Sequence, residues 1–339
     1  METQVETSPQ ERAGQLLGYA AGYVAHRFVA MGLRTGLVAA LADTPATAAQ
    51  LADRLDLDPF YVQVWCQGAL AAGLCDEDDG RFSLVSHAAT LLLDDTSPGY
   101  VGGIFPILEQ HELFGRFEQE LPSGERLWWD DTSPEFIRLV SSTGRPFYTR
   151  LVGGGLAQVP GLTDRLAAGG RIVDTACGSG LGLVALAEAF PGCTLVGVDG
   201  DAVSLAAAEK RLAEHGLADR VTLIRSPLEE ADIPEAALVV NNISMHECRD
   251  IDAVTRNVLA GLEPGGWFVI SDFPFPDTTE GLRTVPGRVM SGIQVFEAQI
   301  DDQLLPRRVY DELLERHGFT DLGAATLTPV HALTWGRRP

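Results

Sequence analysis

Apolar residues recur at helical spacing from Ala13 to Leu41, but Leu17, Tyr19, Val24, Phe28, Met31, Leu33, Leu37 and Leu41 spread around more than one face. A helix that is apolar on several sides needs several partners, from the chain's own core or from a second protomer. Thr47 then reads as the N-cap of a short helix, the break Asp56-Leu-Asp-Pro59 follows, and a second helix runs to about Leu74. Residues 75–79 and 81–85 form two short β runs around Asp79-Gly80, a dipeptide suited to a hairpin turn. Two short helices and a hairpin make a winged-helix unit, which we bound at residues 13–95.

Residues 96–165 mix helical pieces with breaks at Pro98-Gly99, Gly102-Gly103, Pro122-Ser-Gly124 and Gly153-Gly154-Gly155, and read as a helical connector and substrate lid. Its aromatic residues Phe105, Phe114, Phe117, Trp128, Trp129, Phe136, Phe147 and Tyr148 are core candidates, with some of them available to line a pocket. From residue 166 to 339 the period changes. Short β runs at 171–174, 194–198, 221–225, 238–241 and 267–270 alternate with helices near 181–190, 201–215 and 251–262. Buried strands separated by crossover helices predict an α/β domain with a doubly wound, Rossmann-like parallel sheet. A helix at 306–317 and two further β runs complete it.

Composition narrows the function. With 25 Lys+Arg against 47 Asp+Glu in 339 residues, the formal charge of -22 repels phosphate backbones and anionic lipid. The second helix of the winged unit carries no Lys or Arg, and its hairpin is acidic, so nucleic acid is not expected as a partner. The apolar stretch from Leu16 to Leu41 is interrupted by His26, Arg27 and Arg34, which argues against a membrane span. Five cysteines without a CxxC pair, and a polar start without a signal pattern, suit reduced thiols in the cytoplasm.

The chemistry concentrates in the loop Asp174-Thr-Ala-Cys-Gly-Ser-Gly180, between a predicted strand and a predicted helix. Gly178 and Gly180 permit a tight turn and close backbone approach, and the helix start offers free N–H groups to a polar ligand. The same turn could also be purely structural. Asp199 tips the balance: it ends the next strand about 20 residues on, where a carboxylate can accept both hydroxyls of a ribose. The pair points to a nucleoside without saying which.

The ordered segments VDTACGSG, AEAFPGCTLVGVDGD, LADRVTLI, NNISMHE and LAGLEPGGWFVISD, behind a winged helix, resemble class I S-adenosylmethionine-dependent methyltransferases, specifically bacterial small-molecule O-methyltransferases with an N-terminal dimerisation domain. The resemblance implies S-adenosyl-L-methionine as cofactor, a small-molecule acceptor and a homodimer. It implies that Asp174, Ala176, Gly178 and Gly180 cradle the amino-acid end of the cofactor and that Asp199, with Gly200 beside it, holds the ribose. It also sets Ser226, Leu228 and Asn242 on the adenine and methionine sides. Ala176 stands where glycine is common, and Pro227 where many members place an adenine-binding acid.

By the same resemblance His246 is the general base for a phenol or activated hydroxyl, and Glu247 orients or stabilises its imidazolium. From the residues alone, a structural hydrogen-bonding histidine is the favoured reading of His246, and Glu247 could equally be a solvated helix charge. The family's further glutamate is not clearly matched, Glu297 being the nearest acid. The histidines are scattered, and Glu247, Asp250 and Asp252 have no paired ligand set, so no metal is expected. Two alternatives share this outline: an enzyme of the same fold with non-methylating chemistry, a rearrangement or hydroxylation, and a cofactor-sensing winged-helix regulator.

Overall fold

The computed structural model describes residues 8–127 and 133–339, so Trp128 and Trp129 lie outside the described residues. The chain divides into two compact units, Met1–Glu109 and Gln110–Pro339, and the stretch expected as a connector is shared between them.

In the first unit α1 (Pro9–Arg34) starts at Ser8, whose side chain accepts from the Glu11 N–H while Glu11 reaches back to the Ser8 N–H. The helices α2 (Leu37–Asp43), α3 (Ala48–Leu55) and α4 (Pro59–Ala71) follow, with Thr47 and Asp58 capping α3 and α4. Strands β1 (Cys75–Asp78) and β2 (Arg81–Leu84) pair antiparallel across Asp79 and Gly80, both at positive φ. Short helices α5 (Ala88–Leu93) and α6 (Ile104–Ile107) end the unit.

Leu37, Val38, Leu51, Trp65, Cys66 and Phe82 form its core. The broad apolar surface expected of the first helix is used unevenly. Phe28, Met31 and Leu33 pack against that core, whereas Leu16, Leu17, Tyr19, Tyr23 and Val24 are exposed, as are Phe60, Tyr61 and Val64 of α4. No single helix among the described residues is long and apolar enough to cross a membrane. Only α1 and α2 taken together pass that test, and they are bent by 73°.

The second unit opens with α7 (Phe114–Glu120) and α8 (Pro134–Arg150), which runs through a wide turn at Leu151–Gly155 and a tight one at Leu156–Gln158 into α9 (Leu162–Ala167). Then come β3 (Gly170–Thr175), α10 (Leu181–Ala189), β4 (Cys193–Asp199), α11 (Ala202–Glu214), β5 (Val221–Arg225), β6 (Ala236–Asn242), α12 (Ile251–Gly261) and β7 (Leu262–Asp272). The chain continues through α13 (Thr279–Leu282), α14 (Val285–Gln299), α15 (Arg307–Arg316), β8 (Thr320–Thr328) and β9 (His331–Arg337).

The sheet order is β5-β4-β3-β6-β7-β9-β8, parallel from β5 to β7, with β9 and β8 added antiparallel. Side chains alternate between two apolar layers. Ile172, Leu195 and Leu238 face one, with Leu183 and Trp335, while Val173, Val196 and Val239 face the other, with Val258 and Leu313. Each fully buried Leu contributes about 1.5–3 kcal/mol relative to exposure. The alternation fixes register, because a one-residue slip would turn every strand inside out. From β3 the chain first adds β4 and β5 on one side and then β6 on the other, so the crevice at the C-terminal ends of β3 and β6 is the switch point where such sheets bind ligands.

Candidate active site

The glycine loop leaves β3 with Ala176 at φ 57, Gly178 at 52 and Gly180 at 78, and enters α10 at Leu181. Ala176 holds a left-handed conformation that disfavours a Cβ. The loop is fastened from β4: the Gly178 N–H donates to Asp199 Oδ2 at 2.8 Å, and the Asp201 N–H donates to Asp199 Oδ1 at 2.8 Å. Each Asp199 oxygen keeps lone pairs for a further donor. Arg211 of α11 also donates to the Ser179 carbonyl.

Asp174 is fully buried, and the Tyr148 hydroxyl donates to its carboxyl at 3.1 and 3.2 Å. Burial pushes the carboxyl up to about 8, against the lowering effect of the Tyr148 hydrogen bond. Tyr148 reaches it across Gly182, where a Cβ would stand 2.0 Å from the phenol ring. Gly200 and Ser226 follow β4 and β5, Leu228 is buried beyond them, and Asn242 ends β6. All the residues assigned to the cofactor therefore collect at or just beyond the C-terminal ends of β3 to β6. A Cβ at Gly200 would make only ordinary contact with Pro227 at 3.8 Å, so no packing demand explains that glycine.

His246 sits in the loop after β6, its side chain 1% exposed. Nδ1 lies 2.9 and 3.0 Å from the two oxygens of Asp272, the last residue of β7. Asp272 also accepts from the Tyr310 hydroxyl at 2.6 Å and from the Phe273 N–H at 2.8 Å. Nε2 faces Glu297 of α14, with 3.8 Å to Oε2, a buried oxygen that has no hydrogen-bond partner among the described residues. Burial alone would lower the imidazole pKa, but the charge and hydrogen bond of Asp272, helped by Glu297 and Glu247, raise it to about 10. Burial pushes Glu297 and Glu247 up in turn, opposed by the nearby imidazolium.

Among the described residues Glu247 makes no hydrogen bond to the imidazole, which Asp272 orients instead, although the Glu247 charge helps raise the imidazole pKa; the signal for Asp272 was an acid closing the buried run FVISD. Glu297, the nearest acid to the glutamate that the sequence does not clearly match, is brought by α14 to 3.8 Å from His246 Nε2. The acids also do not lack a common ligand set, since His246, Glu247 and Glu297 each offer a ligand atom within 4.8 Å of the others. Asp250 and Asp252 stay outside it, Asp250 capping α12 and Asp252 paired with Arg316 and His317. Glu247 is accessible to solvent although protein atoms are dense around its carboxyl.

Residues 172–266 match the family described as methyltransferase domain. The trans-aconitate 2-methyltransferase of Delftia acidovorans is 30% identical over 167 residues, which cover 47% of this chain and 58% of that protein, so the chain spans little more than half of that relative. The apo structure of the S-adenosylmethionine-dependent methyltransferase SibL superposes with a TM-score of 0.73 at 21% identity, covering 96% of this chain and 99% of SibL. The mitomycin 7-O-methyltransferase MmcR gives 0.70 at 16%, covering 97% and 100%. The fold is that of class I S-adenosylmethionine-dependent methyltransferases, with a mainly helical N-terminal region and a Rossmann-like sheet.

Proposed function

We propose that this chain is an S-adenosylmethionine-dependent O-methyltransferase that methylates a hydroxyl or phenol of a small molecule in secondary metabolism. It works in the cytoplasm, as a homodimer paired through its N-terminal winged-helix unit. The observation that carries this reading is His246, fixed at Nδ1 by Asp272 with Nε2 directed at Glu297, just past the strand end that also carries Asn242.

The residues suit the cofactor. The loop is open above Gly178, where a Cβ would meet nothing within 4 Å among the described residues, and the Asn242 amide has a buried donor with no partner among them. Asp174, Ala176, Gly178 and Gly180 would hold the amino-acid end, Asp199 and Gly200 the ribose, and Ser226 and Leu228 the adenine side. Bound there, S-adenosyl-L-methionine would supply an electrophilic methyl group. The chain's own work is to align the acceptor oxygen, exclude water and receive its proton at His246 Nε2, with Asp272 and Glu297 stabilising the imidazolium that results.

The test is methyl transfer from radiolabelled cofactor to a panel of phenols and hydroxylated small molecules. His246→Gln should lower turnover on a hydroxyl acceptor by about 10²- to 10⁴-fold, the usual worth of a general base, with little change in cofactor affinity. Near-full turnover in a folded variant would remove the base assignment. Acceptor conversion without release of S-adenosylhomocysteine would move the reading to a non-methylating reaction. A second reading follows from the common reach of His246, Glu247 and Glu297: a divalent cation held there would bind the acceptor oxygen in place of base catalysis. Activity that withstands exhaustive chelation supports the base, whereas loss restored by added magnesium or zinc supports the cation.

A further inference from the structure

A second buried polar chain ends at the sheet edge without serving His246. Asn242 closes β6, and its Oδ1 lies 2.6 Å from Oγ of Ser271, its direct ladder partner on β7. Ser271 Oγ is 2.7 Å from Nε2 of His331, the first residue of β9, and His331 Nδ1 is 3.0 Å from Nε of Arg150 at the end of α8. Asn242 Nδ2, at the far end, is buried and has no hydrogen-bond partner among the described residues.

Chemistry gives the chain one direction. A guanidinium N–H only donates, so His331 Nδ1 must accept and the ring proton must sit on Nε2. Nε2–H then donates to Ser271 Oγ, leaving the serine hydroxyl to donate onward. The acceptor it meets is the Asn242 carbonyl oxygen. A flipped amide would take the second lone pair of Oγ and leave the serine hydrogen without the acceptor it has now, so the carbonyl faces Ser271 and Nδ2 is turned away. Burial, together with Arg150, holds the His331 pKa down to about 3, which keeps the ring neutral as the direction requires. The Phe147 ring packs on His331 at 4.4 Å between centroids, and Arg150 lies over the same ring at 4.7 Å, so the relay is braced on its outer side. Buried donors are nearly always paired, and one fixed in orientation at a ligand-binding edge awaits an acceptor from the ligand.

We propose that Arg150, His331 and Ser271 are positioning residues, a one-way relay that fixes Asn242 as a hydrogen-bond donor to the carboxylate at the cofactor's amino-acid end. The assignment rests on the cofactor reading above. The test is calorimetric titration of the full chain with S-adenosylhomocysteine and with 5′-methylthioadenosine, which lacks the amino-acid end. Ser271→Ala should weaken the first by about tenfold, the scale of one well-placed hydrogen bond, and leave the second unchanged, while Ser271→Thr, which keeps the hydroxyl, should recover affinity. Unchanged binding of S-adenosylhomocysteine, or an equal loss for both ligands, overturns the relay alone. Failure of the unsubstituted chain to bind S-adenosylhomocysteine overturns the cofactor reading with it. Nitrogen-15 shifts of His331 in the unsubstituted protein give a readout that no folding defect can confuse. The proton should be found on Nε2 across neutral pH; a proton on Nδ1, or an imidazolium, overturns the relay.

Discussion

Ala176 carries its left-handed backbone at a position where a glycine would meet no such cost. Ala176→Gly should therefore raise unfolding free energy by about 1 kcal/mol in urea melts, part of the gain being offset by the freer unfolded chain. A fall in stability would mean that the methyl group contributes more by packing than its backbone costs. His246 makes a signed prediction about pH. Its native pKa, about 10, lies above the ordinary value near 6.5, so its stabilising contribution is complete below the ordinary value and is lost as pH rises toward 10. The stability gap between the native chain and His246→Gln should close over that interval in denaturation curves. Catalysis runs the other way, because the imidazole must shed its proton to act as a base, so turnover should climb with pH on an alkaline limb that the variant lacks. The glycine loop and Asp199 could be picked out in the sequence because local spacing defines them, whereas His246 stood out only through the family resemblance. Asp272 and His331 could not be joined to them, and Glu297 only as the nearest acid, because sheet register and the return of α14, not sequence proximity, bring them there.

At the scale of elements, α1 and α4 offer an apolar surface that their own unit leaves uncovered: Leu17 and Tyr23 on one, Phe60 and Tyr61 on the other. We assign that surface to a second copy of the chain. Leu17→Glu combined with Tyr61→Glu should shift the sedimentation coefficient to that of a monomer at micromolar concentration without unfolding the sheet unit. An unchanged coefficient, or a monomer before substitution, would remove the assignment. The crossover helices and parallel strands lie within a residue or two of where hydrophobic period put them, apart from β7, which starts at Leu262 and not 267, since buried strands and amphipathic helices leave clear patterns. The wide turn at Leu151–Gly155 is different. The sequence shows only a glycine run there, which reads as a break, and the structure does kink at Gly154, where the backbone leaves helical geometry, but it resumes helical turns on the far side instead of opening into a loop.

At the scale of the whole molecule, the strong negative charge and the acidic β1–β2 hairpin predict no salt-sensitive retention on duplex DNA, and such retention in a filter-binding assay would revive the regulator reading. The α/β class was readable throughout; the placing of β9 between β7 and β8 was not, because nothing in the residues of an antiparallel pair names its neighbour. That placing also puts the site on a clock. His331 enters the relay from 60 positions beyond Ser271, so at about 5–20 residues per second a growing chain exposes its glycine loop and Asp199 for several seconds before the strand that orients Asn242 exists. A nascent chain stalled in that interval would hold the ribose end of its ligand but release it quickly, and slow dissociation would arrive only with the strand that closes the sheet.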